Sequence, residues 1–356
     1  MKNRIYPAMI TLAREARGFS QTRLSELSGV SQAHLSKIEA QIVPASPEVV
    51  TAIAKAVQMP ERFFSQPDEV LGAGTSEFFH RKRQSVPAGV LRQIHAQINI
   101  LRMHVERLLK SVEMPAGQIP QLKLRDFKGN PREAARAVRA VLNIPSGPIP
   151  NLVRVIENTG GLIVPVDGTY EVDVISRWVP GLPPLFFVNS SAPVDRFRMN
   201  LAHELGHMVM HRIPEEEMEP QANAFASEFL MPESDIKNHL YNLNLSKLAA
   251  LKPHWRTSMA ALLKAAADLK CITPGSARYL WIELSKRGFR KREPVELDLL
   301  PEPPTLVREI FDFYRKDLGY SVEDLGNLLA SSPADLVTWH PALLRPEPKR
   351  QFRVVR

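Results

Sequence analysis

The chain has 356 residues, 44% of them hydrophobic and 24% charged, with a formal net charge of +8. That length exceeds one ordinary domain and carries enough apolar material for two or three cores, so a wholly disordered chain or a small disulfide-stapled scaffold is excluded. The one cysteine, Cys271, allows no internal disulfide and reads as a small buried hydrophobe in a reducing compartment, while the basic balance favours an anionic partner such as nucleic acid.

The amino-terminal text "MKNRIYPAMITLAREARGFSQ" is interrupted by charge every few residues and lacks the apolar core of a signal peptide. No later run approaches the ~20 apolar residues of a bilayer span, so a cytoplasmic location with no membrane contact is expected. Residues 1–67 are short amphipathic segments separated by Gly18, Gly29, Pro44, Pro47 and Pro60, the pattern of a compact bundle of short helices. In "SQTRLSELSGVSQAHLSKIEA", Ser20 and Ser31 stand where N-caps are needed and Gly29 lies at the turn between two helices. Leu24, Leu27, Val30, Leu35 and Ile38 fall on inward faces. Gln32, Ala33, His34 and Lys37 fall outward, near the end of the second helix that would meet base edges and phosphates.

Across residues 5–66 this text resembles the lambda-repressor/Cro-like, or XRE, helix-turn-helix family. The resemblance implies a five-helix bundle on a double-stranded DNA operator, with Gln21 on backbone phosphate and Gln32, Ala33, His34 and Lys37 facing the major groove. It also implies a homodimer, although no heptad marks an interface. Where the family usually has Glu-x-Gly after the reading helix, this chain has Glu39-Ala40-Gln41.

Residues 68–125 read as a basic linker with a long connecting helix. In "SVPAGVLRQIHAQINILRMHVERLLK", Leu91, Ile94, Ile98, Leu101, Val105 and Leu108 recur at helical spacing, with Arg92, Arg102, Arg107 and Lys110 largely on other faces. "NPREAARAVRAVLNIP" and "PIPNLVRVIENTG" follow as helices. "GLIVPV", "EVDVISRWV" and "PLFFVN" read as short strands rich in β-branched and aromatic residues. Residues 234–300 form a helical extension, the Pro-rich "LLPEPPTL" marks a linker, and residues 301–356 form a last helical unit with a basic tail. The fold class is therefore mainly α with a small β-sheet (α+β).

Two features cut across this order. A shift of 301 positions sets "SQTRLSELSGVSQAHLSKIE" over "SVEDLGNLLASSPADLVTWH", pairing Ser20 with Ser321, Leu24 with Leu325, Ser31 with Ser332 and Leu35 with Leu336. Two ordinary helix pairs with similar caps would match as well, and Asp324 and Asp335 argue against DNA binding by the second. The other feature is "RFRMNLAHELGHMVMHR", residues 196–212, where His203 and His207 are four apart on one helical face and can reach one metal ion. Glu204 stands beside them, placed to polarise a water. Gly206 inside the helix suggests that something packs closely there. Candidates for a third ligand are His211 and the acids of "PEEEMEPQANAFASEFLMP".

Residues 126–233 resemble the ImmA/IrrE family of zincin-like metallopeptidases, through "DRFRMNLAHELGHMVMH", the acidic "EPQANAFASEFLMP" and its closing Leu-Met-Pro. The resemblance implies Zn2+, with Mn2+ as an alternative, on His203, His207 and Glu219. Glu219 lies one turn before Asn223, so the two can share a face toward the site. Glu204 would be the catalytic base, with Asn223 and His211 supporting the ligands. The strand "PLFFVN" is expected to pair with an extended substrate.

The resemblance thus implies a zinc-dependent endopeptidase coupled to a DNA-binding domain, acting in transcriptional control or stress response by cleaving a repressor or other regulator, or the chain's own linker near "HRKRQSVPAG". The alternative is a transcriptional regulator or antitoxin whose metal domain serves as sensor or scaffold. In a third variant DNA activates the peptidase, its phosphates tracked by "HRKRQ", the arginines of the connecting helix and "KRGFRKR".

Overall fold

The computed structural model describes residues 4–72, 87–114, 117–166, 174–189, 191–213 and 215–340. The run "HRKRQ" and the basic tail lie outside the described residues. Pro7 opens α1 (Pro7–Ala16), its fixed φ suiting a first helical turn. Ser20 accepts from Arg23 N–H to cap α2 (Gln21–Ser28), Gly29 turns with φ 73°, and Ser31 caps α3 (Gln32–Glu39). Helix α4 (Pro47–Val57) and a 3-10 helix at Glu61–Ser65 complete the five-helix bundle. Leu24, Leu35 and Ile38 are buried there, but Leu27, expected inward, sits at the edge of the apolar face and is 42% exposed. After α3, Gln41 adopts φ 61°, so the left-handed turn forms without the family's glycine.

Helix α5 (Ala88–Leu108) is the connecting helix, and two cores share it. Ala96, Ile100 and Met103 complete the core of the amino-terminal bundle. Ile94, Ile98, Leu101, Val105 and Leu108 pack instead with one face of the sheet and the carboxy-terminal helices. With both sides covered, Arg102 and Arg107 are buried as well, which corrects the expectation that they track phosphates. Arg102 donates to Glu106 and the Glu69 carbonyl, and Arg107 to Asp68 and the Leu329 carbonyl. Neither is available to track phosphates. In "KRGFRKR", Lys286 and Arg287 lie near Glu283, and Arg292 pairs with Asp298.

Helices α6 (Pro131–Val141) and α7 (Leu152–Asn158) precede a three-stranded sheet of β1 (Leu162–Val166), β2 (Val174–Arg177) and β3 (Leu185–Asn189). The order is β1-β3-β2, with β1 parallel and β2 antiparallel to β3. This overturns the expectation that β3 receives a substrate: "PLFFVN" is the central strand, and its backbone is already paired on both sides. Its five residues are all buried, as suits a strand covered on two faces.

The second face of the sheet carries α8 (Val194–Met210), and α9 (Met218–Leu230) packs on α8 and α6. Buried Glu228 accepts from Arg132 and Arg136, tying α9 to α6. The short α10 (Glu233–Ile236), then α11 (Leu245–Trp255), α12 (Met259–Asp268) and α13 (Pro274–Lys286), pack into the same core, which also holds Cys271. The Pro-rich stretch that follows is docked rather than free, because Glu302 is buried among Arg198, Arg256 and the Leu152 N–H. Glu157 on α7 then accepts from Thr305 and Leu306 to satisfy the start of α14 (Leu306–Asp312). A π-helical turn at Phe313–Asp317, α15 (Val322–Leu328) and α16 (Pro333–Trp339) complete the described chain. Among the described residues no helix is long and apolar enough to cross a membrane.

Where α5 meets α16, His104 Nδ1 lies 3.0 Å from His340 Nε2, and His104 Nε2 lies 2.9 Å from Ser331 Oγ. Phe311 and Trp339 wall the pair, and Arg107 adds positive charge nearby. Burial holds His340 down to about 4 and His104 well below the ordinary histidine range. Both bind protons more readily when unfolded. Their contribution is therefore fully present above about pH 6.5 and is lost as pH falls toward 4, by about 3 kcal/mol for His340. Denaturant melts between pH 4.5 and 7 should show that slope, and His340→Leu should make it shallower.

Candidate metal centre

Helix α8 puts His203 and His207 one turn apart, and α9 crosses it closely enough to bring Glu219 to the same point. Gly206 permits the crossing, since a Cβ there would lie 3.0 Å from the Phe225 ring. His203 Nε2 and His207 Nε2 are 3.0 Å apart, and the Glu219 carboxylate oxygens lie 3.2 Å from His207 Nε2 and 3.7 Å from His203 Nε2. Donors about 2.0–2.1 Å from a tetrahedral ion are separated by about 3.3 Å, so this trio has the dimensions of three corners of such a site. Burial works against ionisation of Glu219, yet His203 and His207, when they carry a proton on Nε2, hold the carboxyl well below the usual range.

The side chains behind the trio fix which nitrogens face it. His203 Nδ1 donates to Asn223 Oδ1 at 3.1 Å, which leaves its Nε2 lone pair toward the centre. His211 Nε2 lies 2.8 Å from Gln221 Oε1, and its Nδ1 lies 3.0 Å from His207 Nδ1. Burial, then the neighbouring His207, lowers His211 to about 4, so it is neutral at physiological pH. With Gln221 Oε1 accepting from His211 Nε2–H, His211 Nδ1 must accept from His207 Nδ1–H. That turns the His207 Nε2 lone pair inward. His211 thus lies behind His207, not beside the trio. Gln221 was not singled out from the sequence, where nothing marks it; His211→Ala or Gln221→Leu is expected to weaken divalent-metal binding about 10–100-fold in chelator competition.

Glu204 is 1% exposed and points to β2, where Ser176 donates from both its Oγ (2.6 Å) and its N–H (3.2 Å) to Oε2. His203, Glu204 and His207 form a candidate metal cluster, with ligand atoms all within 4.8 Å of one another. Ser176 too was missed from sequence. Its one signal was a hydroxyl on the strand face that Val174 otherwise gives to the core. The Ser176 amide points away from β3, so β2 lies at the rim of the sheet beside the candidate centre.

Residues 167–266 match the family model of the IrrE N-terminal-like domain, a peptidase family, and residues 10–64 match that of the helix-turn-helix. The chain joins a helix-turn-helix domain to an IrrE N-terminal-like domain. No curated protein sequence matches it significantly. The IrrE-like match spans β2, β3 and both helices of the trio, and reaches into α12. In the helix-turn-helix domain, Gln32, Ala33, His34 and Lys37 are exposed on α3, and Gln21 is half-buried beside them. Gln32 donates to Gln21, Gln21 donates to Glu39, and Arg14 holds Glu39 through two hydrogen bonds. The outward glutamines are therefore set in place by a buried ion pair.

Proposed function

We propose that this chain is a zinc-dependent endopeptidase that cleaves a regulatory protein and is brought to its place of action by an operator-binding helix-turn-helix domain. The observation that carries the reading is the convergence of His203, His207 and Glu219 at tetrahedral spacing, with Glu204 adjacent and anchored by Ser176. Two neutral imidazoles and one carboxylate suit Zn2+, a combination found where a fourth position is kept for reaction. Bound there, Zn2+ supplies Lewis-acid polarisation of the scissile carbonyl.

The rest of the reaction belongs to the chain's own residues. Glu204 takes the proton of the attacking water and returns it to the leaving amine. Ser176 orients the carboxylate for both transfers. An extended substrate lies alongside β2, the strand beside the centre, whose outward Ser176 N–H is already given to Glu204. Asn223, His211 and Gln221 keep the imidazoles aimed. Gln32, Ala33, His34 and Lys37 face the major groove while Gln21 meets phosphate, a reading supported by their exposure on α3.

Incubating the zinc-loaded chain with candidate helix-turn-helix regulators, and resolving the products by mass spectrometry, tests this reading. One discrete cut that is lost on chelation and restored by Zn2+ supports it. Stoichiometric zinc with no Glu204-dependent cut in any candidate would favour a sensor or scaffold instead.

A further inference from the structure

Residues 306–340 repeat residues 5–39 at a constant offset of 301 positions, and the repetition extends to backbone conformation. Helix α14 and its π-turn stand for α1. Gly18 and Gly319 both take φ 70°, while Gly29 at φ 73° is answered by Ala330 at φ 52°. Ser20 and Ser31 cap α2 and α3 as Ser321 and Ser332 cap α15 and α16, each accepting from the residue three positions on. Two helix pairs with similar caps would not place both left-handed turns at the same offset. An alanine in that conformation costs about 1 kcal/mol or more, so the turn is imposed by its surroundings.

The two copies differ in what covers them. In the first, Leu24 and Leu35 pack under α4 and the 3-10 helix. In the second, Leu325 and Leu336 pack against α5 and one face of the sheet. Asp335 occupies the position of His34, a residue on the reading end of α3, but it bonds to Arg17 at 2.6 Å, with Arg17 also over the Trp339 ring. Arg62 donates to the Ser331 carbonyl at 3.0 Å. The end of the second copy that corresponds to the base-reading end is therefore turned onto the first copy, whose own reading residues stay exposed.

We propose that residues 306–340 are a second helix-turn-helix copy converted from reading DNA to docking on the first, so that each chain presents one reading helix to DNA, the α3 of the first copy. The acids Asp324 and Asp335 suit that conversion, since a phosphate-facing surface would carry neutral or basic groups there. The proposal rests on the DNA-reading role given above to the first copy.

Selection of the full chain against a randomised duplex pool is expected to enrich a motif that is lost with Lys37→Glu on α3 and kept with Thr338→Glu, the equivalent exposed position of the second copy. A motif that is lost with Thr338→Glu overturns the proposal. Docking is read without DNA: Arg17→Asp and Asp335→Arg are each expected to lower Tm by about 2–4 °C, and the double exchange to melt above either single variant. A double variant that melts no higher than the singles overturns the docking. Selection that enriches no motif refutes the DNA-reading role of the first copy, and the charge exchange then decides the docking alone.

Discussion

Glu204→Gln is expected to leave one zinc per chain and to reduce peptide cleavage by about 10²–10⁴-fold, the range for loss of a positioned general base. The amide keeps the size of the carboxylate and an oxygen that can accept from Ser176, so the helix and the three ligand atoms remain in place. What it cannot do is take a proton at neutral pH. His207→Ala should fail in the other way, with zinc and activity lost together. Metal analysis beside single-turnover cleavage separates the two outcomes, and cleavage unchanged in Glu204→Gln would remove Glu204 from the mechanism.

The second large effect lies far from the chemistry. Glu302→Ala is expected to destabilise the chain by about 3–5 kcal/mol, because Arg198 is 0% exposed and loses its carboxylate partner. Burial already lowers the Arg198 pKa, and its bond to the Ile149 carbonyl (2.7 Å) would be left to hold it. The Leu152 N–H would lose its acceptor at the same time. Replacing both partners, Arg198→Leu with Glu302→Leu, should recover much of the loss, since the uncompensated charge goes with them. Equilibrium unfolding in urea reads both, and a cost below about 1 kcal/mol for Glu302→Ala would mean that the pair is solvated.

These two residues mark what the sequence could and could not disclose. The placement of Glu204 was legible because it is local: a helix fixes its distance from His203 and His207, and one helical turn relates Glu219 to Asn223. Caps and turns were legible for the same reason, as at Ser20, Gly29 and Ser31. Glu302 was not, since a carboxylate among prolines reads as a solvated linker until its tertiary partners are known. Ser176 and Gln221 act across elements, so no spacing announces them. Arg102 and Arg107 misled because helical periodicity describes one buried face, whereas α5 is covered by the helix-turn-helix bundle on one side and by the sheet with the carboxy-terminal helices on the other. The order β1-β3-β2 was equally silent: hydrophobic strand text marks burial, and here burial meant a central strand, not a substrate-binding one.

Glu204-dependent cutting of a regulatory protein would leave new protein ends in the cell. Quantitative mapping of new protein amino termini, in cells induced to express either the unaltered chain or Glu204→Gln, tests it most directly. Termini within one or a few DNA-binding regulators are expected to arise with the unaltered chain and to be absent with the variant. Identical sets of termini from the two, with zinc bound in both, would contradict it.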